Sequence, residues 1–283
     1  MKKMAILVTL LLSAVSCCCV CAQTSDDKAG DSAQVLQGGT GTQVLQGGVG
    51  THFLQGGIQH SEQLAPVKSG LKVGAAFDEA KLEKLAPARI WFRVPPWMAG
   101  KWQYDGETQT FYQNYEEGHT YSEVRTFSRH NSESWGFQRD RLGGFWDCVM
   151  VPALTQVESD KELWKDLHTD DSVIFDSDAK VIMRYKFTRT FVNKITNTIR
   201  SVKQVEQFTS FFPYGPDKLR AEFSIKIFDD RGNPISLTKT WKIGNRIAPT
   251  KLSNYDRNNE DVRASFREYL ISHGMENLVP GQE

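Results

Sequence analysis

The 283-residue sequence predicts an all-β fold: an antiparallel up-and-down barrel of eight or nine strands across residues 101–243, followed by a C-terminal helix. Three observations predict it. First, Val181, Met183, Tyr185 and Phe187 fall on one face of an extended segment, with Lys180, Arg184, Lys186 and Thr188 on the other. Ala221, Phe223, Ile225 and Ile227 repeat the pattern, and Ile235, Leu237, Trp241 and Ile243 alternate with Ser236, Thr238, Thr240 and Lys242. A period of two marks antiparallel strands with one buried and one solvated face. Second, the stretch Asp229-Asp230-Arg231-Gly232-Asn233-Pro234 is a hairpin turn between two of these strands. Third, so many consecutive strands would leave long exposed edges, and closure into a barrel removes them. A β-sandwich is the structural alternative.

Before the strands comes a leader. Met1-Lys2-Lys3, an apolar run over residues 4–15 and small residues up to Ala22 make an export signal, too short to span a bilayer. Val20-Cys21-Ala22 places cleavage between Ala22 and Gln23. The alternative is lipidation at Cys17, whose preceding residues Ala14-Val15-Ser16 resemble a relaxed bacterial lipobox with Ala14 in place of the usual Leu. Either way the protein is expected to be exported: secreted or periplasmic, or lipid-anchored to the cell envelope. Four of the five cysteines lie in this segment, and Cys148 remains as a small buried hydrophobe.

Residues 23–76 read as a disordered Gly-rich leader. Within it, Gly38-Gly39-Thr40-Gly41-Thr42-Gln43-Val44-Leu45-Gln46 and Gly47-Gly48-Val49-Gly50-Thr51-His52-Phe53-Leu54-Gln55 repeat with a period of nine. Residues 34–60 thereby resemble the nonapeptide repeats of haemolysin-type calcium-binding β-rolls. The position that carries the calcium-holding Asp in that family is Gln43 and then His52, so a flexible linker or a decayed repeat is expected.

Residues 77–94 give a short helix capped by Asp78 and an extended lead-in, Arg89-Ile90-Trp91-Phe92-Arg93-Val94, before Pro95-Pro96. The main domain is expected over residues 95–275, with a tail at 276–283. Residues 101–115, 120–129, 134–139 and 145–157 are aromatic or β-branched segments separated by turn formers. Residues 161–168 read as one helical excursion, with Leu163, Trp164 and Leu167 on one side. In the final helix Asn259 is the candidate cap, Val262, Phe266 and Leu270 form the apolar stripe, and Gly274 ends it.

Gly100-Lys101-Trp102 resembles the G-x-W that opens the first strand of lipocalins and other calycins. The resemblance implies a calycin-like barrel in which Gly100 permits a tight entry and Trp102 plugs the closed end. It also implies a basic residue from the last strand over that Trp, a role for Lys242 or Arg246. The lipocalin T-D-Y motif and the usual lipocalin disulfides are absent from the sequence.

Lys plus Arg and Asp plus Glu both total 34, so bulk charge gives no reason to expect nucleic acid or an anionic membrane as partner. The six histidines are scattered, and no metal-ligand spacing, nucleophile elbow or phosphate loop appears. No catalytic residue, metal or cofactor is therefore expected, and the first expectation is a non-catalytic binder of a small hydrophobic ligand or an envelope accessory protein. Tyr104, Phe111, Tyr121, Tyr185, Phe187, Phe223 and Trp241 are the candidate pocket lining. The alternatives are a surface or matrix interaction protein with a filled barrel, and a barrel enzyme with residues convergent from distant positions.

Overall fold

Strand-forming sequence dominates the described residues of this computed structural model, which are 59–67, 70–82, 87–158, 162–256 and 259–281. The expected export signal, the Ala22–Gln23 junction, Cys17 and almost all of the nonapeptide-like repeats lie outside them. In chain order the strands are β1 (Ala88–Val94), β2 (Gly100–Tyr104), β3 (Glu107–Asn114), β4 (His119–Tyr121), β5 (Arg125–Phe127), β6 (Asn131–Trp135) and β7 (Gln138–Arg139). Then come β8 (Phe145–Val151), β9 (Ala153–Glu158), β10 (Glu162–Asp176), β11 (Val181–Asn193), β12 (Ile199–Pro213), β13 (Lys218–Phe228) and β14 (Pro234–Ala248), followed by helix α1 (Val262–Ser272). The expected long strands of the first half are each split, at Asp105-Gly106, at residues 122–124, at Gly136-Phe137 and at Pro152.

All pairings are antiparallel. The large sheet runs β4-β3-β14-β13-β12-β11-β10-β9, with β2 joined to β14 and β6, and β5 joined to β3. Its path ends at β4 and β9, which do not pair with each other, so the sheet is not closed into a barrel. A three-stranded sheet, β1-β8-β7, covers its inward face instead. One face of this small sheet meets the large one through Phe92, whose ring centre lies 6.5 Å from that of Trp135, itself 5.3 Å from Phe211 on β12. The other face presents Trp91 and Trp146 to α1, where Phe266 packs 4.8 Å and 5.4 Å from their rings. The layers are thus helix, small sheet, large sheet, each burying the apolar side of the next.

The terminal helix carries the stripe expected of it: Val262, Phe266 and Leu270 are buried, and Gly274 follows with φ +69°. Its cap is Asp261, not Asn259; Asp261 Oδ1 accepts from Ala264 N at 2.8 Å. The short helix expected at the start of 77–94 is a single 3-10 turn, Glu79–Lys81, with Asp78 capping it through Ala80 N at 3.0 Å. Residues 162–168 are not helical. From Glu162 the chain is the start of β10, hydrogen-bonded on one side to β9 and on the other to β11, and that two-sided pairing overrides a spacing of apolar residues compatible with a helix. Leu163 packs on the outward face and Trp164 meets Phe191 at 5.7 Å on the inward one.

The last part of the leader is an ordered strap on the outward face of the large sheet. Leu64 N donates to Gly232 O at 3.0 Å, Val67 N to Asp230 O at 2.8 Å and Gly74 N to Ile199 O at 2.8 Å. Phe77 then closes an apolar cluster with Val192, Ile199 and Val202. Strap coverage is one reason why both faces of β11 and β12 are largely buried.

Candidate functional site

Strand register determines which side chains meet across the inward face. One rung carries Asp171 (β10), Tyr185 (β11), Gln207 (β12), Ile225 (β13) and Thr238 (β14). The next carries Val173, Met183, Thr209, Phe223 and Thr240, and the rung on the other side carries His168, Phe187, Val205, Ile227 and Ser236. Ser236, Thr238, Thr240 and Lys242 are all buried, which corrects the expectation that they form a solvated face. The apolar residues that alternate with them, Ile235, Leu237, Trp241 and Ile243, are only partly buried on the outward side.

Asp171, Gln207 and Thr240 have relative exposures of 6%, 1% and 4%. Among the described residues, Asp171 Oδ1, Gln207 Oε1 and Thr240 Oγ1 have no hydrogen-bond partner. An unpaired buried acceptor costs about 1–3 kcal/mol, so these atoms mark where a donor would be stabilising. The rest of each group is engaged: His168 Nδ1 contacts Asp171 Oδ2 at 2.8 Å, its ring stacked 4.9 Å from Phe187, and Gln207 Nε2 donates to Thr209 Oγ1 at 3.0 Å. Among the described residues Tyr185 Oη donates to the Met183 thioether, at 3.1 Å, a weak acceptor. Burial first, then the nearby Asp171, Glu133 and Asp147 carboxylates, push the Tyr185 hydroxyl well above its usual range.

A second polar knot lies towards β2. Lys242 Nζ donates to Glu133 Oε1 at 2.7 Å and sits 3.9 Å from the centre of the Tyr104 ring, while Tyr104 Oη donates to Glu133 Oε2 at 3.3 Å. Burial and the Glu133 charge raise the Tyr104 hydroxyl well above its usual range. Gly244 makes room for that ring: a Cβ there would stand 2.6 Å from Tyr104 Cε1. From the small sheet, Asp147 accepts from Gly136 N and Cys148 N at 2.8 Å each, yet its burial pushes the carboxyl up to about 7. Burial likewise raises the neighbouring Cys148 thiol to about 12, which leaves it protonated and a poor nucleophile.

Of the residues singled out as pocket lining, Tyr104, Tyr185, Phe187 and Phe223 share this inward face. Phe111 and Trp241 face outward, under Lys239 at 5.6 Å and Arg220 at 5.0 Å. Tyr121 lies on edge strand β4, 43% exposed and stacked on Tyr112 at 6.1 Å. Gly100 has φ +140° at the entry to β2, and Trp102 is fully buried. The basic group over Trp102 is Arg246, 4.6 Å from the ring, which also donates through Nη2 to Trp97 O at 2.9 Å and through Nη1 to Ala99 O. A shallow depression of about 450 Å³, lined by Phe145, Asp217 and Ile247 among others, opens beside Arg246.

Asp171, Gln207, Thr240, His168 and Asp147 were not legible as a site. Polar residues alternating with apolar ones signal solvent, and nothing local reveals a second sheet that covers them. Chemically the interior holds, among the described residues, unpaired oxygens on Asp171 and Gln207, an unpaired hydroxyl on Thr240 and, between Phe92 and Phe211, an unpaired indole N–H on Trp135. Among the described residues no group of three or more His, Cys, Asp or Glu is placed to hold a metal ion. No family model matches the chain, and neither a curated protein nor a solved structure matches it.

Proposed function

We propose that this is an exported binding protein whose interior takes a small ligand rich in hydrogen-bond donors, a polyol or an amine. The observation that carries this is the pair of buried, unpartnered acceptor oxygens on Asp171 and Gln207, with the unpartnered Thr240 hydroxyl in the next rung. A purely hydrophobic ligand, the first expectation from the sequence, would leave all three unpaired, at a cost of a few kcal/mol. Asp171 and Gln207 flank Tyr185 in one rung, two strand spacings or roughly 10 Å apart, so a donor-rich ligand lying over Tyr185 meets both, and a polyol also offers the Tyr185 hydroxyl a better acceptor than a thioether. The three residues stand on alternate strands of the large sheet, β10, β12 and β14, so the sheet itself sets their spacing.

Export is supported by the basic start, apolar run and small residues over residues 1–22. The calycin-like reading is supported by Trp102 lying at the entry strand beneath Arg246 of β14; on that reading the large sheet is an opened barrel whose inner face is covered by β1-β8-β7. The test is native mass spectrometry of the mature protein purified from its own host, followed by titration of any retained molecule. A stoichiometric polyol or amine is expected, with Asp171→Ala weakening its binding tenfold or more. Protein that never retains a ligand, and whose interior acceptors are paired only with ordered water at high resolution, overturns the reading.

A second reading, a surface interaction protein, is favoured by one observation. At the β4–β5 edge Tyr121, Val124 and Phe127 are exposed at 43%, 70% and 42%, an open strand edge of the kind that accepts an extended partner.

A further inference from the structure

The outward face of the large sheet holds a different constellation beneath the strap. His60 Nε2 lies 2.8 Å from Ser224 Oγ, and His60 Nδ1 lies 3.2 Å from Glu206 Oε2. Glu206 on β12 and Ser224 on β13 are diagonal neighbours, because Phe208 stands directly opposite Ser224 in the register. The edge of the imidazole packs on Phe208 at 4.9 Å, which fixes the plane of the ring.

Protonation assigns the direction of each hydrogen bond. Burial opposes the charge on Glu206, but hydrogen bonds from His60 and from Ser61 N, with Lys186 at 3.3 Å, bring its carboxyl down to about 2. An ionised carboxylate can only accept, so His60 Nδ1 carries the proton. In the neutral imidazole Nε2 is then the lone-pair nitrogen, and Ser224 Oγ–H donates to it. This is the order of nucleophile, base and orienting acid that activates a serine hydroxyl.

We propose that Ser224 is a nucleophile acylated by small carboxylic esters, with His60 as its general base and Glu206 as the positioning residue. In the reaction Ser224 Oγ bonds to the carbonyl carbon while its proton passes to His60 Nε2. That proton leaves with the alcohol as the ester C–O bond breaks, and attack of water by the reverse path releases the acid and restores the serine. The strand context limits the rate. Ser224 sits in mid-strand, where the β13 backbone is engaged in ladders with β12 and β14, so the amides around it offer no pair of free N–H groups to the oxyanion. Loss of one such donor costs roughly 10²–10³ in rate, so reaction with an ordinary ester is slow. The measurable property is a selectively reactive serine. It is independent of the interior site, since Ser224 and Glu206 point away from it.

The experiment is treatment of the full chain with a small fluorophosphonate, read by intact mass and peptide mapping. One adduct is expected, on Ser224, absent in Ser224→Ala and formed at least tenfold more slowly in both His60→Gln and Glu206→Gln. Circular dichroism and the melting temperature of each variant separate a lost base from a lost fold. Ser224→Ala is the secure control, because it leaves the His60–Glu206 contact and the strap's backbone bonds intact. Absence of a Ser224 adduct in the wild type, or an unchanged rate in a folded His60→Gln protein, overturns the proposal and leaves His60 as an anchor for the strap.

Discussion

Lys242 shows how much one side chain's placement matters in this interior. It is 4% exposed, neutralises Glu133 and covers the Tyr104 ring. Removing one partner of such a pair strands the other charge in a poor dielectric, at a cost of about 3–5 kcal/mol. Lys242→Met is therefore expected to lower the urea midpoint strongly, whereas Lys242→Met combined with Glu133→Leu recovers most of the loss; additive losses would show that the two groups do not act as a pair. The same ring makes Gly244 irreplaceable for a steric reason. Tyr104 is fully buried and held between Gly244 and Lys242, so it has nowhere to retreat from an added methyl group. Gly244→Ala is expected to destabilise by about 1–3 kcal/mol, measured as a shift in the midpoint without a change in slope.

Among the elements, α1 is the one whose sequence and structure agree most directly. Val262, Phe266 and Leu270 recur at intervals of four, which places them on one helical face, and that face is the one that meets Trp91 and Trp146. Phe266→Ala removes the centre of this contact and is expected to cost about 3–5 kcal/mol in chemical denaturation, while the exposed Ile271→Ala on the same helix costs under 1. Strand existence was legible for the same reason, since β11, β13 and β14 advertise a period of two. The inward side of β14 was not. Ser236, Thr238, Thr240 and Lys242 are the more polar set, and a sequence tells which residues share a face without telling which layer covers it. β10 was hidden differently: Leu163, Trp164 and Leu167 suit a helical face, and only pairing with β9 and β11, remote in the case of Asn193, selects the extended form. The site residue His60 was legible only as part of a Gly-rich leader, because its partners Glu206 and Ser224 follow it by 146 and 164 positions.

For the whole molecule, two buried carboxyls on opposite faces of the assembly make opposing demands on pH. Glu206 is held at about 2, below its ordinary 4.5, so the unfolded chain binds its proton more readily than the fold does. Its contribution to stability is full above about 4.5 and is lost as the pH falls towards 2. Asp147 is the reverse case, raised by burial to about 7 from an ordinary 3.8. Between those values the unfolded chain has released the proton that the fold still holds, so stability declines as the pH rises from about 4 to 7 and levels off beyond. Each shift spans several pH units and so corresponds to a few kcal/mol. Together they predict maximal stability near pH 4–5, an acidic optimum unlike the usual range of about pH 5–8. Urea unfolding at a series of pH values tests this directly. Asp147→Asn should flatten the decline between pH 4 and 7 and leave the acid limb in place, whereas Glu206→Gln should flatten the acid limb alone. A wild-type profile that climbs steadily from pH 4 to 7 would mean that Asp147 is charged and compensated in the fold. In that case the small sheet would present a carboxylate, not a carboxylic acid, to Tyr185 across the interior.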